Sequence, residues 1–595
     1  MTPQQQRAPQ PTRSSVVGFS YHDPVMCSVT ISSTDVREAH FINSFIAASM
    51  TFYDKQEAKK WAVTEGFRSA FVTFYDKKEQ LLPIGLIPRV SRLVRNRFGS
   101  KITLDKQTRD LFIPPRGEIT REDIVGFANT LNLHNRKSGT PIIPYEHQYK
   151  LAERALNGRR ISLLACTSAG KSLAMCIIAR YLVSRENKKL LIVVPSSNLV
   201  EQLFSDFYND YGWEDARKYC TLIYSDSDDK LTKAQKERLR RNDIGEEVML
   251  KQITISTWQS LQHKPDKFFE CFTAVLVDEA HSTRGVKLRN ILAKCVNATD
   301  FKVGVSGTLP NDGIDAGYIE SQLGRKEEIV RLKELVAKGV LTPVTVRSIL
   351  IPYPPQQRKM ICRQTYDDEV AFCSANTSRQ DIVKLLIDSK KITDQQNTVI
   401  LFKNIDPLEM MYEFLQKEYP QFTYHVIKGD VSVDEREDIR KSIEDSTGHI
   451  ILATYGCMKQ GVNIKLLHNL VFASPAKSVY MVVQSIGRIV RPHKDKKMAY
   501  VYDLVDDASY QYIGRSGYPV VKANYMMKHY DIRRSYYDED EIPVEEINFS
   551  GIYEAKIDES VIAERKKKAA DKAKAKAERA VKKSNANVFK KKFFL

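Results

Sequence analysis

The chain has 595 residues, of which 42% are hydrophobic and 28% are charged. This length predicts several structural units, because domains average about 150 residues, and the composition excludes a globally disordered chain. The formal charge of +18 indicates a polyanionic partner, and no apolar run approaches the ~18 residues of a membrane helix, so no membrane partner is expected. Nine cysteines without a Cys-x-x-Cys pair argue against a zinc ribbon or a disulfide scaffold.

Residues 1–115 are predicted to form a small α+β module. Apolar residues recur at helical spacing from Leu86 to Phe98, and arginines that include Arg89 and Arg92 occupy the remaining positions. No acidic residue interrupts residues 86–101. The pattern is equally typical of a solvated helix face and of a surface that contacts nucleic-acid phosphates.

From about residue 141, short β-branched runs alternate with helix-length amphipathic stretches, which is typical of parallel-sheet α/β architecture. We expect two tandem units of this kind, residues 116–335 and 336–515, with the segment Thr342–Pro355 as their junction or as an early part of the second unit. The predicted strands are Ile161–Ala165, Leu190–Val194, Ile253–Ser256, Ala274–Val277 and Lys302–Ser306, then Thr398–Phe402, Tyr424–Ile427, His449–Ala453, Leu470–Ala473 and Ala499–Tyr502.

The first predicted strand leads directly into a candidate phosphate-binding loop. Small residues permit close backbone approach, and a helix N-terminus that follows them directs amides at an anion. In this pattern Lys171 reaches the β- and γ-phosphates, and the Ser172 hydroxyl binds magnesium. Ala165 stands where the strict pattern requires glycine. The candidate nucleotide-binding residues of the loop are Thr167, Ser168, Ala169, Gly170, Lys171 and Ser172.

A second candidate element is the strand Ala274–Val277, which ends in Asp278-Glu279-Ala280-His281. A carboxylate at such a strand end can hold magnesium through water, which we assign to Asp278. The adjacent Glu279 is placed to orient and deprotonate an attacking water molecule. A helix N-cap is the structural alternative for this pair.

The third element is the stretch Gln484–Arg491, late in the second predicted unit. Arg488 and Arg491 are three residues apart, so we expect them to share one helix face and to project into a cleft between the units. A guanidinium on the γ-phosphate assists phosphoryl transfer strongly, and its supply from a second unit makes hydrolysis depend on closure. A surface salt bridge is the alternative for an isolated pair of this kind.

An extension follows the second unit at residues 516–595. The segment from Glu564 to Lys592 contains thirteen Lys and Arg residues and three acidic residues, so it contributes +10 of the net charge. The segment has helix propensity but no apolar stripe, so it is either a solvated tail or a sequence-independent phosphate binder.

Taken in this order, the elements resemble those of superfamily 2 helicases over roughly residues 141–505. The fold that the resemblance implies is two tandem RecA-like parallel-sheet motor domains, here with a small α+β N-terminal module and a basic C-terminal tail. The resemblance is closest to the UvsW family of bacteriophage recombination helicases, through the loop above, Thr257-Trp258-Gln259, Leu81–Leu86 and Asp503–Asp507.

The resemblance also implies roles for residues that carry no signal alone. Gln148 matches an adenine-reading glutamine, and Ser306-Gly307-Thr308 matches the motif that couples hydrolysis to strand movement. Ser196 and Thr257 match contacts to the nucleic-acid backbone, and the segment from Thr454 to Gly461 matches a combined strand and nucleotide motif. Unaided, such Ser-, Thr- and Gly-rich segments are typical of turns and caps.

The implied function is that of an ATP- and Mg²⁺-dependent DNA helicase that remodels branched DNA, namely Holliday junctions, forks and R-loops. The resemblance also implies that the protein is encoded by a phage and acts in the cytoplasm of the host cell. Expected partners are single- and double-stranded DNA, RNA within R-loops, and recombination or single-strand-binding proteins; the oligomeric state is not predicted. One alternative is an RNA helicase or another translocase of the superfamily. A second is a non-motor nucleic-acid-binding or annealing protein, against which the complete set of candidate catalysts argues.

Overall fold

The computed structural model describes residues 15–55, 58, 69–115, 117–224, 251–429, 431, 433–444, 446–459, 464–474, 478–514 and 517–548. The lysine-rich tail and Gly461, both singled out above, lie outside the described residues. The chain divides into two compact units, Met1–Arg331 and Leu332–Leu595. Among the described helices none is long and apolar enough to cross a membrane.

The first unit contains a small module followed by the first motor domain. Its strands are β1 (Val16–Tyr21), β2 (Met26–Ser32), β3 (Thr51–Tyr53), β4 (Phe71–Thr73), β5 (Leu81–Pro83), β6 (Lys101–Leu104), β7 (Arg160–Ala165), β8 (Leu190–Val194), β9 (Cys220–Ile223), β10 (Ile253–Thr257), β11 (Ala274–Asp278), β12 (Lys302–Ser306) and β13 (Lys326–Val330). Its helices are α1 (Val36–Ser49), α2 (Ile87–Phe98), α3 (Lys106–Asp110), α4 (Arg121–Thr130), α5 (Glu146–Gly158), α6 (Lys171–Glu186), α7 (Ser197–Ser205), α8 (Ala216–Tyr219), α9 (Trp258–Leu261), α10 (Asp266–Glu270), α11 (Val286–Lys294) and α12 (Gly313–Leu323). One-turn helices span Ile84–Leu86, Asp206–Asp210 and Ala280–Arg284.

The second unit contains the second motor domain. Its strands are β14 (Val344–Pro352), β15 (Thr398–Phe402), β16 (Thr423–Ile427), β17 (His449–Thr454), β18 (Asn469–Phe472), β19 (Ala499–Asp507), β20 (Tyr510–Ile513), β21 (Pro519–Lys522) and β22 (Val544–Asn548). Its helices are α13 (Leu332–Ala337), α14 (Pro355–Ile361), α15 (Tyr366–Ser374), α16 (Ser378–Asp388), α17 (Ile405–Glu418), α18 (Val433–Glu444), α19 (Tyr455–Lys459), α20 (Val479–Ile489) and α21 (Tyr525–Glu539).

Each motor domain is built on a parallel sheet of seven described strands. The first sheet has the order β13-β7-β12-β11-β8-β10-β9, and the second has the order β16-β17-β15-β18-β19-β14-β22. Helices cover both faces of a parallel sheet, which explains why a central strand such as β8 consists only of buried Leu, Ile and Val. The predicted tandem RecA-like architecture is therefore confirmed.

The N-terminal module is a separate α+β layer within the first unit. Its sheet has the order β5-β2-β1-β6, and helices α1 and α2 pack on it through residues such as Ile42, Val90 and Phe98. The helix predicted over residues 86–98 is α2, whose apolar positions are buried as the spacing indicated. The predicted small α+β module is thus confirmed.

Close contacts attach this module to helix α12 of the first motor domain. Arg89 donates to both carboxylate oxygens of Glu320, at 2.6 and 2.9 Å, although the two residues are 231 positions apart. A Cβ atom on Gly85 would lie 2.0 Å from the Glu320 carbonyl oxygen, so only glycine fits there. Phe74 contacts the Tyr318 ring edge to face, with centroids 5.1 Å apart. The module and α12 therefore share one packed interface.

Several strands escaped the sequence-based prediction. The segment Thr342–Pro355 contains β14, which pairs in parallel with β19 and β22, so it is an early part of the second unit rather than a junction. β22 comes from the C-terminal extension and adds the last strand of that sheet. β14 has alternating buried Val and Ile residues, whereas β22 has the weak pattern Val-Glu-Glu-Ile-Asn and is defined by its pairing with β14.

Helix α21, also from the extension, is held to the second motor domain by buried charges. Arg533 donates to both oxygens of Asp503 at 2.8 and 2.9 Å, and the Tyr537 hydroxyl lies 3.0 Å from the same carboxylate. Both charged side chains are at most 3% exposed. Removal of one partner of such a buried ion pair is costly, because the remaining charge is neither paired nor solvated.

We predict that Arg533→Ala lowers the free energy of unfolding of the second unit by about 3–5 kcal/mol, since it leaves Asp503 buried and unpaired. Arg534→Ala is the matched control, because Arg534 lies on the same helix and makes exposed pairs with Asp538 and Glu546. Its loss should cost about 1 kcal/mol or less. Urea unfolding of the full-length chain measures both; equal effects would contradict the prediction.

Candidate functional site

The phosphate-binding-loop candidate joins the end of β7 to the start of α6. Ser168 and Gly170 have φ angles of +69° and +73°, so the backbone turns sharply before the sixteen-residue helix begins. The Lys171 ammonium lies 3.4 Å from the carbonyl oxygens of Ala165 and Cys166 and therefore folds back over the loop. A tight turn, a helix N-terminus and an ammonium group together suit a polyphosphate.

Gln148 braces this loop from helix α5. Its side-chain amide donates to the carbonyl oxygens of Ala169 and Gly170, both at 3.2 Å, and its oxygen accepts from the Tyr145 amide at 2.8 Å. A Cβ atom on Gly170 would lie 2.1 Å from the Gln148 nitrogen, which requires glycine. Gln148 is therefore next to the loop, where a residue that senses the bound nucleotide is expected.

Ser172 has an unexpected partner. Its hydroxyl oxygen lies 2.5 Å from the hydroxyl oxygen of Tyr211, which follows the one-turn helix Asp206–Asp210. Burial raises the pKa of Tyr211 well above its usual value, so this phenol stays protonated. Tyr211 thus positions the hydroxyl that the loop pattern assigns to magnesium, and no sequence pattern pointed to it.

The carboxylates Asp278 and Glu279 lie where strand β11 ends. Asp278 is the last residue of the strand, and its side chain accepts a hydrogen bond from the Glu279 amide at 2.9 Å. Glu279 has a φ angle of +51°, in the left-handed region that non-glycine residues avoid. Such strain persists only when surrounding contacts enforce it, and it concentrates at functional sites.

The hydroxyl of Ser306, at the end of strand β12, supplies those contacts. It lies 3.0 Å from the Glu279 carboxylate, 3.0 Å from the His281 ring nitrogen Nδ1 and 2.8 Å from the Thr308 carbonyl oxygen. His281 Nδ1 is itself 3.3 Å from the Glu279 carboxylate. Ser306 and His281 therefore fix the orientation of Glu279.

The two carboxyl groups are electrostatically unequal. Burial and the neighbouring charge of Glu279 raise the pKa of Asp278 above its usual range. Burial also opposes ionisation of Glu279, but the hydrogen bond from His281 and the charge of Lys171 outweigh it and hold the pKa of Glu279 below its usual range. Of the two carboxyl groups, Glu279 is therefore the one that ionises more readily.

Gly307 brings the third strand end against the phosphate-binding loop. A Cβ atom there would lie 2.9 Å from the Thr167 hydroxyl oxygen and 3.6 Å from the Lys171 ammonium. Strand β12 is paired with β7 on one side and β11 on the other. The loop, the carboxylate pair and Ser306 thus belong to one continuous site at the carboxyl edge of the first sheet.

This site suits a magnesium nucleotide by the chemistry of its donors. Ser172 and Asp278 offer a hydroxyl and a carboxylate oxygen, the hard ligands that magnesium prefers. In the described part of the chain no three His, Cys, Asp or Glu side chains cluster as a separate metal site. Any magnesium is therefore expected to arrive with phosphate oxygens that complete its coordination.

Two of the residues predicted to touch nucleic acid lie on neighbouring loops of the same sheet edge. Ser196 precedes α7, and its buried hydroxyl has no hydrogen-bond partner among the described residues. Thr257 caps the short helix α9 by accepting from the Ser260 amide at 3.2 Å. Gln259 donates to the Pro195 carbonyl oxygen at 3.2 Å and joins the two loops. The cap proposed as an alternative for Thr257 is present.

In the second unit, Arg488 and Arg491 do not share a helix. Helix α20 ends at Ile489 with Val490 as its C-cap, so Arg491 lies beyond the helix. The carbonyl oxygens of Val490 and Arg491 accept hydrogen bonds from the Thr342 amide and hydroxyl, at 2.8 and 3.1 Å. The expectation of one common helix face was therefore wrong, because Pro492 follows Arg491 and the residue before a proline disfavours the helical conformation.

The remaining predicted contacts divide between the units. Thr454 ends strand β17, and its hydroxyl donates to Cys457 at 3.2 Å. On α2, Arg89 is only 14% exposed and is engaged by Glu320 and Asp312, whereas Arg92 is exposed. Of the two arginines, Arg92 is therefore available to a phosphate, and Arg89 has a structural partner that the sequence alone did not reveal.

Comparison with known proteins identifies two helicase domains. Residues 145–316 match the DEAD/DEAH box helicase family, and residues 378–493 match the helicase conserved C-terminal domain. The chain is 28% identical over 452 residues to the ATP-dependent DNA helicase uvsW of Enterobacteria phage T4, an alignment that covers 76% of this chain and 84% of that protein.

Two further similarities extend this comparison. A candidate ATP-dependent RNA helicase of African swine fever virus is 23% identical over 301 residues, which are 46% of this chain and 56% of that protein. The crystal structure of T4 UvsW superposes with a TM-score of 0.44 and 24% identity, covering 90% of this chain and 99% of that one. The candidate site described above falls within the first matched domain.

We predict that Glu279→Gln lowers kcat for ATP hydrolysis by about 10²–10⁴-fold, because the amide cannot accept a proton from water. Nucleotide affinity should change little, since Lys171 and the loop amides are intact. Glu270→Gln makes the same chemical change at an exposed position of α10 and should leave kcat unaltered. Steady-state turnover with a fluorescent-nucleotide binding assay separates these effects; normal turnover in Glu279→Gln would refute the role of Glu279.

Proposed function

The chain belongs to the superfamily 2 helicases, and from this premise we propose that it is a DNA motor that remodels branched DNA at the expense of ATP. As an ATP-dependent helicase it acts on nucleic acid; the choice of DNA, and of branched DNA, is the proposal. It is supported by the extent of similarity to a phage DNA helicase, which covers most of both chains. The RNA helicase candidate aligns with about half of either chain.

The observation that supports a working ATP-driven motor is the carboxylate of Glu279, which Ser306 and His281 contact at the edge of the first sheet. Ser306 and His281 hold the ionised Glu279 in a strained backbone conformation beside the phosphate-binding loop. Such pre-organisation supports a role for Glu279 in orienting and deprotonating a water molecule. A binding protein with a relic nucleotide site would not need it.

The loop residues have distinct proposed roles. The backbone of Thr167, Ser168, Ala169 and Gly170 surrounds the phosphates, and Gln148 is assigned to the adenine by its resemblance to the family motif. The Lys171 ammonium neutralises the β- and γ-phosphate oxygens. Ser172 would bind magnesium through its hydroxyl oxygen, and Asp278 would hold the ion through water. Magnesium, when bound, neutralises charge that develops on the transferred phosphoryl group.

Glu279 then takes a proton from the attacking water at its carboxylate, and Ser306 keeps the carboxylate aimed during the transfer. Arg488 and Arg491 of the second unit are proposed to stabilise the γ-phosphate charge, a role that does not require a shared helix. Gly461 is assigned to the same nucleotide site by its resemblance to the family motif alone.

Nucleic-acid contacts are proposed to involve mainly phosphates, so sequence preference should be weak. The candidates are Ser196, Thr257, Thr454 and Arg92, of which Arg92 is exposed. Arg89 is a weaker candidate, because its guanidinium is already paired with the carboxylates of Asp312 and Glu320. It remains a candidate because it lies on the same basic helix, α2, as Arg92. Ser196→Ala should weaken DNA binding more than ATP binding.

The organisation we propose is a nucleic-acid-binding module (1–115), two motor domains (116–335 and 336–515) and an extension (516–595). The lysine-rich tail adds affinity that does not depend on sequence and falls with salt. A phage origin would place the protein in host cytoplasm, alongside recombination and single-strand-binding proteins. These assignments rest on similarity to the phage relative.

We predict that a synthetic four-way DNA junction or a fork stimulates ATP hydrolysis more than linear duplex or structured RNA does. Basal turnover and stimulated turnover should both disappear in Glu279→Gln, which separates the motor from contaminating ATPases. The rate of steady-state phosphate release with each nucleic acid measures how strongly it stimulates ATP hydrolysis. Stronger stimulation by RNA would move the assignment to an RNA helicase, and equal stimulation by all ligands would refute the preference for branches.

A further inference from the structure

The second unit carries an exposed β-ribbon that the helicase motifs do not explain. Strands β20 and β21 pair antiparallel as a two-stranded sheet separate from the seven-stranded sheet. Its large hydrophobic side chains are unusually exposed, with Tyr518 at 73%, Ile513 at 68% and Val521 at 67%. Exposed apolar surface that persists on a soluble protein commonly marks an interaction site.

The ribbon has two different faces, because side chains alternate along each strand. Pairing places Tyr510 opposite Lys522 and Tyr512 opposite Val520, so these four residues share one face. Alternation puts Tyr518 on the same face as Val520. The opposite face carries Gln511, Ile513, Pro519 and Val521. Three tyrosines and a lysine therefore line one side of the ribbon.

The tyrosines are arranged as a surface rather than as a core. The rings of Tyr510 and Tyr512 are 5.8 Å apart with a tilt of 38°. Tyr512 is 44% exposed. A tyrosine presents an apolar ring face and a polar tip, which suits contact with a partner that is itself partly hydrated.

Hydrogen bonds anchor the base of the ribbon to the second motor domain. Arg358 of α14 donates to the Tyr353 carbonyl oxygen at 2.6 Å and to the Ser509 carbonyl oxygen at 3.5 Å. The Asn524 side chain accepts from the Ala508 amide at 3.2 Å and donates to the Asp506 carbonyl oxygen at 3.1 Å. The two ends of the insertion are thus fixed, directly after strand β19.

The charge around the ribbon matches a polyanion. Residues 508–522 contain two basic residues and no acidic one. Lys359 near the end of α14 and Arg363 just after it are exposed, and Cys362 between them contacts the Ala508 and Lys522 carbonyl oxygens. Aromatic rings combined with positive charge are the features by which proteins hold single-stranded nucleic acid without sequence preference.

We propose that the tyrosine face of this ribbon, formed by Tyr510, Tyr512 and Tyr518, is a base-stacking site for an unpaired nucleic-acid strand. The strand's bases stack on the rings, and Lys522 neutralises a phosphate beside them. A protein partner is the competing occupant, but exposed Lys359 and Arg363 and the lack of an acidic residue within 508–522 favour a polyanion. The inference rests on the proposed function only for the choice of DNA as the strand.

The variants Tyr512→Ala/Tyr518→Ala and Tyr512→Phe/Tyr518→Phe test this site, with Gln511→Ala on the opposite face as the control. The probe is a forked DNA with 2-aminopurine in its single-stranded arm, added to the full-length protein. We expect the alanine pair to weaken arm binding about tenfold or more and to abolish the fluorescence change caused by stacking. The phenylalanine pair and Gln511→Ala should behave as wild type.

Hydrolysis of ATP without DNA should be unchanged in all three variants, because none of these residues belongs to the nucleotide site. Wild-type affinity and unwinding in the alanine pair would overturn the proposal, as would an equal loss in the phenylalanine pair, which keeps the rings. A lack of junction stimulation in the wild type would instead count against the proposed function, so the two failures are distinguishable.

A second measurement does not depend on any variant folding. Wild-type protein is cross-linked to forked DNA that carries 5-iodouridine in the single-stranded arm, and the linked peptides are identified by mass spectrometry. Cross-links at Tyr510, Tyr512 or Tyr518 are expected. Cross-links confined to other segments would overturn the assignment and direct attention to a protein occupant for the ribbon.

Discussion

The parallel pairing of β12 with β7 and β11 is the constraint on which the rest of the site depends. Parallel strands end at the same sheet edge, so the phosphate-binding loop, Ser306 and the carboxylate pair become neighbours although they are far apart in sequence. The register aligns Leu164 with Ser306 and Val305 with Asp278. From that alignment follow the hydrogen bond that orients Glu279 and the contact of Gly307 with the loop. A shift of one residue would remove both.

The same sheet edge links the candidate nucleotide site to the N-terminal module of the first unit. The chain that leaves Ser306 enters helix α12 within seven residues, and α12 is the helix to which the N-terminal module is attached by Arg89 and by the close approach at Gly85. A change at Ser306 therefore has a short covalent and packed route to the module. In the second unit, the buried Arg533–Asp503 pair similarly makes part of the extension an integral element of the motor domain.

The strand ends that bear the candidate catalytic residues could be predicted from the sequence, because the apolar runs stop abruptly at polar, glycine-rich segments. Predicted and observed strands agree to within one or two residues for most of the two sheets, and the apolar spacing of residues 86–98 predicted helix α2. What escaped prediction depends on tertiary contacts. Glu320 engages Arg89 across 231 residues, and Tyr211 reaches Ser172 from another loop. No local pattern encodes such pairings.

The central claim is that Glu279-dependent hydrolysis of ATP moves the branch point of DNA. The most direct test follows a mobile four-way junction, labelled on two arms, by energy transfer after the full-length protein and nucleotide are added. The account predicts exchange of the arms with ATP and wild-type protein, but not with a non-hydrolysable analogue or with Glu279→Gln. Arm exchange without hydrolysis, or brisk hydrolysis that leaves the arms in place, would contradict it.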